Sequence, residues 1–223
     1  VADGLMERFG IDEVYGMHNM PGLEVGHFAI RPGPIMASTD EFNLTVRGRG
    51  GHAAKPHETV DAVMVGSQLV SALQTIVSRT VDPLDSMVVS VTKFHAGDAH
   101  NVIPEIAVLG GTVRTLKAET RDLAERRIRE IAAGVAAANG AIIEVEYLRN
   151  YPVTRNHEAQ TDFAAAVAGE IVGAERVDTS VVPMMGGEDF AYMLEARPGA
   201  FIFVGTGPSA GLHNPKYDFN DEI

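Results

Sequence analysis

Eight histidines are the residues of this 223-residue chain best suited to chemistry near neutral pH, because imidazole can ligate a metal or transfer a proton. Most of them, taken singly, are typical of ordinary polar positions: His27 in a predicted strand, His57 before a predicted helix and His157 near a helix start. His52 and His57 are five residues apart across Pro56, which does not place both on one helical face, so they do not predict a metal pair.

Short catalytic motifs are absent from the sequence: it contains no HExxH, GxSxG or CxxC, and no GxGxxG after a strand. The net charge of −12 and the pI near 5.0 argue against a nucleic-acid partner, which needs a basic face. No apolar run reaches the roughly 18 residues that a membrane span requires. The absence of cysteine excludes a disulfide scaffold and fits a cytoplasmic location. Residue spacing alone therefore indicates a globular α/β protein and no particular reaction.

Hydrophobic periodicity in the middle of the chain predicts strands and helices in the order β-α-β-β-α-β. Phe42, Leu44 and Val46 alternate with polar residues, as in a half-buried strand, and a helical stripe follows to about Arg79. Two further strands, a second helix ending at Asn139-Gly140 and a last strand complete the order. This is the ferredoxin-like arrangement, which we place at residues 38–151 as an inserted module with both helices on one face of the sheet.

The flanking residues 1–37 and 152–223 are expected to form one α/β domain that the module interrupts. Phe201–Val204 is wholly apolar, as in a buried parallel strand; we also expect short strands near Val14 and Val25 and helices at 159–172 and 189–196. These pieces supply few strands for a sheet covered on both faces. We therefore expect both ends to be cut, with most of the N-terminal half of this domain missing.

Six local segments, taken in order, carry more information than any spacing rule. They are YGMHNMPG (15–22), GRGGHAAKPH (48–57), HNVIP (100–104), GGTVRT (110–115), MGGEDF (185–190) and LHNP (212–215). Together, around an inserted ferredoxin-like module, they resemble the metal-dependent amidohydrolase/aminoacylase–carboxypeptidase family, and within it the hippurate hydrolases and indole-acetyl-amino-acid hydrolases. The resemblance covers essentially the whole chain.

The resemblance implies a site with two divalent metal ions, zinc or manganese, whose ligands include His18 and His213. It implies that His52 polarises the scissile carbonyl, that Asn101 contacts the same carbonyl and that Arg114 binds the carboxylate of the substrate. Guanidinium suits this last role because it binds carboxylates bidentately.

It further implies that the amides of the Gly186-Gly187 turn approach the substrate, although this turn could equally precede a helix beginning at Asp189. The inserted module would be a lid and dimerisation domain, which predicts a homodimer. The expected reaction is hydrolysis of N-acyl amino acids or related amides by a metal-activated water.

The family's upstream Cys/His cluster and paired glutamates have no counterpart in this sequence, so the chain by itself is expected to be inactive. Two alternatives remain open. One is a non-catalytic truncated relative that acts as an oligomerisation or binding module. The other is a dipeptidase of the same superfamily.

Overall fold

A computed structural model describes residues 1–220 and divides the chain into two compact units. The continuous unit is Ser38–Asn150, and the discontinuous unit is Val1–Ala37 together with Tyr151–Ile223. Within the described residues, no helix combines the length and the apolar composition needed to cross a membrane.

The described residues form five α-helices and twelve strands. The helices are α1 (Leu5–Arg8), α2 (Ala62–Arg79), α3 (Ala118–Asn139), α4 (Glu158–Val172) and α5 (Ala191–Ala196). The strands are β1 (Val14–Met20), β2 (Phe28–Ala29), β3 (Gly33–Met36), β4 (Ser38–Arg47), β5 (Gly51–His52), β6 (Met87–Ala96), β7 (Val102–Ile103), β8 (Ile106–Thr115), β9 (Ile142–Arg149), β10 (Thr154–Asn156), β11 (Val177–Asp178) and β12 (Gly199–Gly205).

The continuous unit is a four-stranded antiparallel sheet in the order β6-β8-β4-β9, with α2 and α3 as its long helices. This confirms the predicted β-α-β-β-α-β order. Phe42, Leu44 and Val46 of β4 are fully buried and share one core with Leu69 of α2 and Ile128 of α3, so both helices cover the same face. The opposite face of the sheet is not covered by any helix of this unit.

Two local signals set the ends of these helices. The Asp61 carboxylate accepts hydrogen bonds from the backbone N–H groups of Val63 and Met64, at 2.8 and 3.2 Å, and so begins α2. Gly140 adopts a left-handed conformation, with φ of 65°, and ends α3 as the Asn139-Gly140 pair predicts.

A buried ion cluster joins the first and last strands of the continuous unit. Arg121 of α3 donates to the fully buried Asp40 carboxylate on β4, with Nε–O distances of 3.0 Å, and also to the Asn150 carbonyl at 3.2 Å. The Tyr147 hydroxyl donates to Asp40 at 2.7 Å, and burial together with this carboxylate raises the pKa of Tyr147. The cluster therefore ties together the points where the chain enters and leaves the unit.

The discontinuous unit contains a sheet in the order β1-β12-β2-β11, in which β1 and β12 are parallel. Phe201–Val204 lies in the central strand β12, as predicted, and α4 matches the predicted helix at 159–172. Two elements begin later in the chain than predicted. The strand expected near Val25 begins at Phe28, because Val25 and Gly26 form a turn, and this also leaves His27 outside any strand. The helix expected from Asp189 begins at Ala191.

Strand β1 is the outer strand of this sheet, and large apolar side chains on β1 and on α4 are exposed. Tyr15 and Met17 of β1 are 43% and 65% exposed, and Phe163 and Ile171 of α4 are 59% and 73% exposed. Tyr15 and Phe163 are in ring contact, with centroids 5.8 Å apart. We call these four residues the β1–α4 apolar patch; nothing in the described unit covers it.

Candidate active site

His18 lies near the carboxyl end of β1, opposite Phe203 of the parallel strand β12. Its Nδ1 is 2.8 Å from the backbone carbonyl oxygen of Asn19. Because a carbonyl can only accept, Nδ1 carries the proton, and a neutral His18 presents the lone pair of Nε2. This is the tautomer that ligates a metal through Nε2 while a backbone carbonyl orients the ring.

A carboxylate lies beside that nitrogen. Glu188 Oε2 is 4.0 Å from His18 Nε2, and the Glu188 side chain is only 19% exposed. Burial raises the pKa of Glu188, the backbone N–H of Phe190 opposes this, and Asp189 raises the pKa further. No role for Glu188 was predicted from the sequence. The one feature that could have indicated such a role is the pair of acidic residues directly after Gly186-Gly187.

His213 belongs to a segment that returns to β1. The side-chain amide of Asn19 donates to the hydroxyl of Tyr217, which lies four residues beyond His213. His213 is exposed, and its φ of 63° makes it the one non-glycine residue of the described chain in the left-handed region. The structure therefore links the segments that carry the two predicted metal ligands, His18 and His213.

Gly186 and Gly187 lie in a loop that follows a bridge between Met36 and Met184. The Ala37 N–H donates to the Gly186 carbonyl at 2.8 Å. A Cβ on Gly186 would meet the flexible end of Met36 at 3.2 Å and the sulfur of Met184 at 3.9 Å. Both neighbours are side-chain atoms, so packing within the chain does not demand glycine at 186. Because α5 begins at Ala191, the turn does not immediately precede a helix at Asp189.

In the continuous unit, the structure brings His52 and Asn101 together. Strands β5 and β7 pair His52 with Val102, and the Ala53 N–H donates to the Asn101 carbonyl at 3.0 Å. The backbone N–H of Ala54 donates to His52 Nδ1 at 3.1 Å. A neutral His52 therefore carries its proton on Nε2 and can donate a hydrogen bond from that atom.

Glycines in the same segment have a structural cause. A Cβ on Gly48 would lie 2.1 Å from the carbonyl oxygen of Val60, because residues Arg49 and Val60 form a β-bridge. The loop that carries His52 is thus held against the start of α2.

Arg114 lies on β8, between Thr39 of β4 and Val88 of β6. Its neighbours Val113 and Thr115 are fully buried, so Arg114 faces the opposite side of the sheet from the helices. The side chain is half-buried, and its guanidinium forms no ion pair with any residue in the described part of the chain. It is therefore available to an external anion.

A side chain added at the nearby Gly110 would meet different neighbours from one added at Gly111. A Cβ on Gly111 would lie 2.1 Å from the Ser90 carbonyl oxygen and 2.3 Å from Phe42 Cζ, so core packing demands glycine. A Cβ on Gly110 would meet side-chain atoms of Asn43 and Lys93 at 3.0 and 3.3 Å.

The remaining histidines examined in the sequence have structural roles or lie apart. His157 Nδ1 accepts from the Gly199 N–H at 3.1 Å, next to the β12 strand. His57 is exposed, and its Nε2 is 3.8 Å from Glu58 Oε1. That His52 and His57 do not form a metal pair stays a prediction. Among residues 1–220, no three His, Cys, Asp or Glu side chains are close enough to hold a metal ion together.

Known proteins resemble this chain in both sequence and fold. It is 41% identical over its whole length to a hippurate hydrolase of Campylobacter jejuni, of which it covers 58%. It is 40% identical, over 96% of the chain, to an N-acetyldiaminopimelate deacetylase of Streptococcus sanguinis, of which it covers 56%. The chain thus spans about half the length of these relatives.

A solved structure from Bacillus subtilis, a dinuclear metal-binding peptidase from the M20 family, matches 99% of the chain with a TM-score of 0.82 and 31% identity. The chain covers 55% of that protein. The model of peptidase family M20/M25/M40 matches residues 1–223. The resemblance inferred from the six sequence segments is confirmed, and the chain belongs to the peptidase family M20/M25/M40.

Proposed function

We propose that this chain carries part of a metal-dependent amidohydrolase that cleaves the amide bond of N-acyl amino acids or related amides. The observation that carries the proposal is the 2.8 Å contact of His18 Nδ1 with the Asn19 carbonyl, which leaves Nε2 with its lone pair beside a partly buried carboxylate. Relatives named for hippurate hydrolysis and for deacetylation of N-acetyldiaminopimelate support this substrate class.

His18 and His213 would hold divalent ions, two in the complete site. Imidazole nitrogen with neighbouring carboxylate oxygen is a donor set that suits zinc or manganese, so the residues present fit such a group. When bound, these ions would polarise the carbonyl and lower the pKa of a water.

The residues of the continuous unit would act on the substrate. The Nε2–H of His52 would donate to the developing oxyanion, which is a role that its tautomer suits. Asn101, directly before β7, would hold the carbonyl, and Arg114 would bind the substrate carboxylate with a guanidinium that has no described partner. Gly186 and Gly187 would let backbone amides approach the substrate.

The general base and the remaining ligands would come from sequence that this chain does not contain. The β1–α4 apolar patch supports this, because an outer parallel strand with large exposed apolar side chains is typical of a surface that another βα element covers. Residues 1–37 and 152–223 would then be part of a metal-binding catalytic domain, and residues 38–151 a lid and dimerisation domain.

We propose α2 as the dimer contact, with a second copy of this chain as the occupant. Its exposed face includes no charged residue before Arg79, whereas the exposed face of α3 is rich in Glu and Arg. In a chain of net charge −12, an uncharged face is where two copies can meet about a two-fold axis with least repulsion. Ser71→Glu on α2 should then convert dimer to monomer in sedimentation, whereas Ala133→Glu on α3 should not.

The deciding experiment is a paired hydrolysis assay with added zinc or manganese. It compares the 223-residue chain with a longer form that includes the coding sequence upstream of Val1. We expect the longer form to hydrolyse benzoylglycine and the short chain to do so at least about 10²-fold more slowly, since acid–base help alone gives about 10²–10⁴. Comparable turnover by the short chain would mean that its own residues form the whole catalytic centre.

The same assay separates the alternatives. Inactivity of both forms on all amides would favour a binding or oligomerisation module. Hydrolysis of a dipeptide but not of benzoylglycine would favour a dipeptidase. The cytoplasmic location stays a proposal, and cell fractionation would test it.

A further inference from the structure

Asn19 makes two hydrogen bonds that lead to two different histidines. Its backbone carbonyl accepts from His18 Nδ1 at 2.8 Å and thereby sets the tautomer of that ring. Its side-chain amide donates to the hydroxyl of Tyr217, 198 residues later in the chain. One residue of β1 therefore contacts both the His18 ring and the segment that contains His213.

The segment Gly211–Tyr217, which we call the His213 strap, is built from two successive turns. The Asn214 N–H donates to the Gly211 carbonyl at 3.2 Å, and the Tyr217 N–H donates to the Asn214 carbonyl at 2.9 Å. The Asn214 side chain also accepts from the Lys216 N–H at 2.9 Å. These bonds give the strap a defined local shape, but all of them lie within it.

Contacts outside the strap fix it at both sides of His213. Before it, Gly207 exchanges backbone hydrogen bonds with the loop after β1, to Leu23 at 2.8 Å and from Gly22 at 2.9 Å. After it, the Tyr217 hydroxyl is held by Asn19. Between these anchors His213 has a φ of 63°, a conformation that non-glycine residues keep only where their surroundings enforce it.

We propose that Asn19 and Tyr217 are positioning residues that set the geometry of His18 and His213 relative to each other. The inference rests on the proposed function, in that the group to be held is a divalent metal. Asn19 and Tyr217 need not contact that ion. The Asn19 carbonyl orients one imidazole, and the Asn19–Tyr217 bond fixes the strap that carries the other.

The first test needs no metal. Amide hydrogen exchange is measured across residues 208–217 of the metal-free protein for Tyr217→Phe, which removes only the hydroxyl, and for Asn19→Ala. Loss of one hydrogen bond should make exchange in the strap about three- to tenfold faster in both variants. Tyr15→Phe is the matched control, because Tyr15 lies on the same strand as Asn19 but its hydroxyl donates to Glu13, at 2.7 Å, and not to the strap. Unchanged exchange in both variants would overturn the proposal.

The second test measures zinc affinity by calorimetry in the form of the protein that hydrolyses amides. Tyr217→Phe should weaken zinc binding by about 10- to 100-fold, as loss of a residue that orients a ligand usually does. In a His213→Ala background, the same substitution should have no further effect. Additive losses would show that Tyr217 does not act through His213 and would overturn the proposal. If the unsubstituted protein binds no zinc, the proposed function fails, and hydrogen exchange still decides the role of the strap.

Discussion

His18 of the discontinuous unit and His52 of the continuous unit both engage the backbone through Nδ1, yet in opposite senses. At His18 the partner is the carbonyl of Asn19, so Nδ1 donates and Nε2 presents a lone pair. At His52 the partner is the N–H of Ala54, so Nδ1 accepts and Nε2 carries the proton. The same side chain therefore presents a lone pair at Nε2 in one unit and an N–H donor at Nε2 in the other.

The difference shows that the chemistry of each histidine depends on a neighbour one or two residues away. At His18, the backbone carbonyl of the next residue, Asn19, points toward the ring near the carboxyl end of β1. In His52 the chain turns after a short strand, and an amide hydrogen points back at the ring. A lone pair can bind a cation, and an N–H can stabilise an anion, so under the proposed function the two units would contribute opposite kinds of catalytic help.

The largest expected effect separates the two histidines directly. If the proposed function holds, His18→Ala should release metal from the active form and abolish turnover, because it would remove a metal ligand. His52→Ala should retain its metal and lose about 10²–10³ in kcat, the usual loss for one oxyanion donor. Metal content by mass spectrometry and kcat on benzoylglycine measure the two effects.

His57→Ala is the control for that pair, since His57 is an exposed histidine beside Glu58 and should change neither quantity. Loss of metal from His52→Ala would break the comparison, because it would make both histidines ligands.

The elements that carry these histidines were largely predictable. Alternation of Phe42, Leu44 and Val46, and the stripes that became α2 and α3, span enough residues to give a clear period. Strands β2 and β11 have two residues each, too few for any period, and their positions depend on pairing with each other. Helix α5 also begins later than predicted. The carbonyls of Asp189 and Phe190 accept hydrogen bonds of single turns, from the N–H groups of Tyr192 and Met193, so these two residues precede the helix.

The site was less predictable than the fold. The motif segments pointed to His18 and His52, but neither tautomer follows from residue types, since each depends on where one backbone group points. Glu188 and Tyr217 meet the β1 strand across 170 and 198 residues, and contacts of that separation leave no spacing pattern in one sequence.

A smaller expected effect concerns Arg114, which lies in the same unit as His52. If it binds the substrate carboxylate, Arg114→Ala should lower kcat/KM for acyl amino acids by about 2–4 kcal/mol of transition-state binding and leave the metal content unchanged. The measurement compares benzoylglycine with its amide, which lacks the carboxylate.

Arg47→Ala is the matched control on the same sheet, because Arg47 is already paired with Glu144 at 3.0 Å. Equal losses for the two substrates in Arg114→Ala would contradict a carboxylate-binding role and would weaken the division of labour between the two units.

The smallest expected effect concerns the acid stability of the unit that holds His52. Burial alone would raise the pKa of Glu125, but hydrogen bonds from Arg129 and Arg149 outweigh it and lower the pKa below the usual 4.5. A lowered folded-state pKa stabilises the protein above the unfolded value, and this contribution is lost as the pH falls below about 4.5. Glu125→Gln should cost about 0.5–1 kcal/mol at pH 7, because the pair is partly exposed, and less at pH 3.

Urea unfolding at pH 7, 5 and 3 measures this cost, with Glu119→Gln on the same helix as the control. Because the Glu125 carboxyl is ionised in both the folded and the unfolded protein at pH 7 and pH 5, the cost of Glu125→Gln should be the same at these two values and should shrink only at pH 3. A cost that differs between pH 7 and 5, or one that persists unchanged at pH 3, would contradict the lowered pKa of Glu125 as its source.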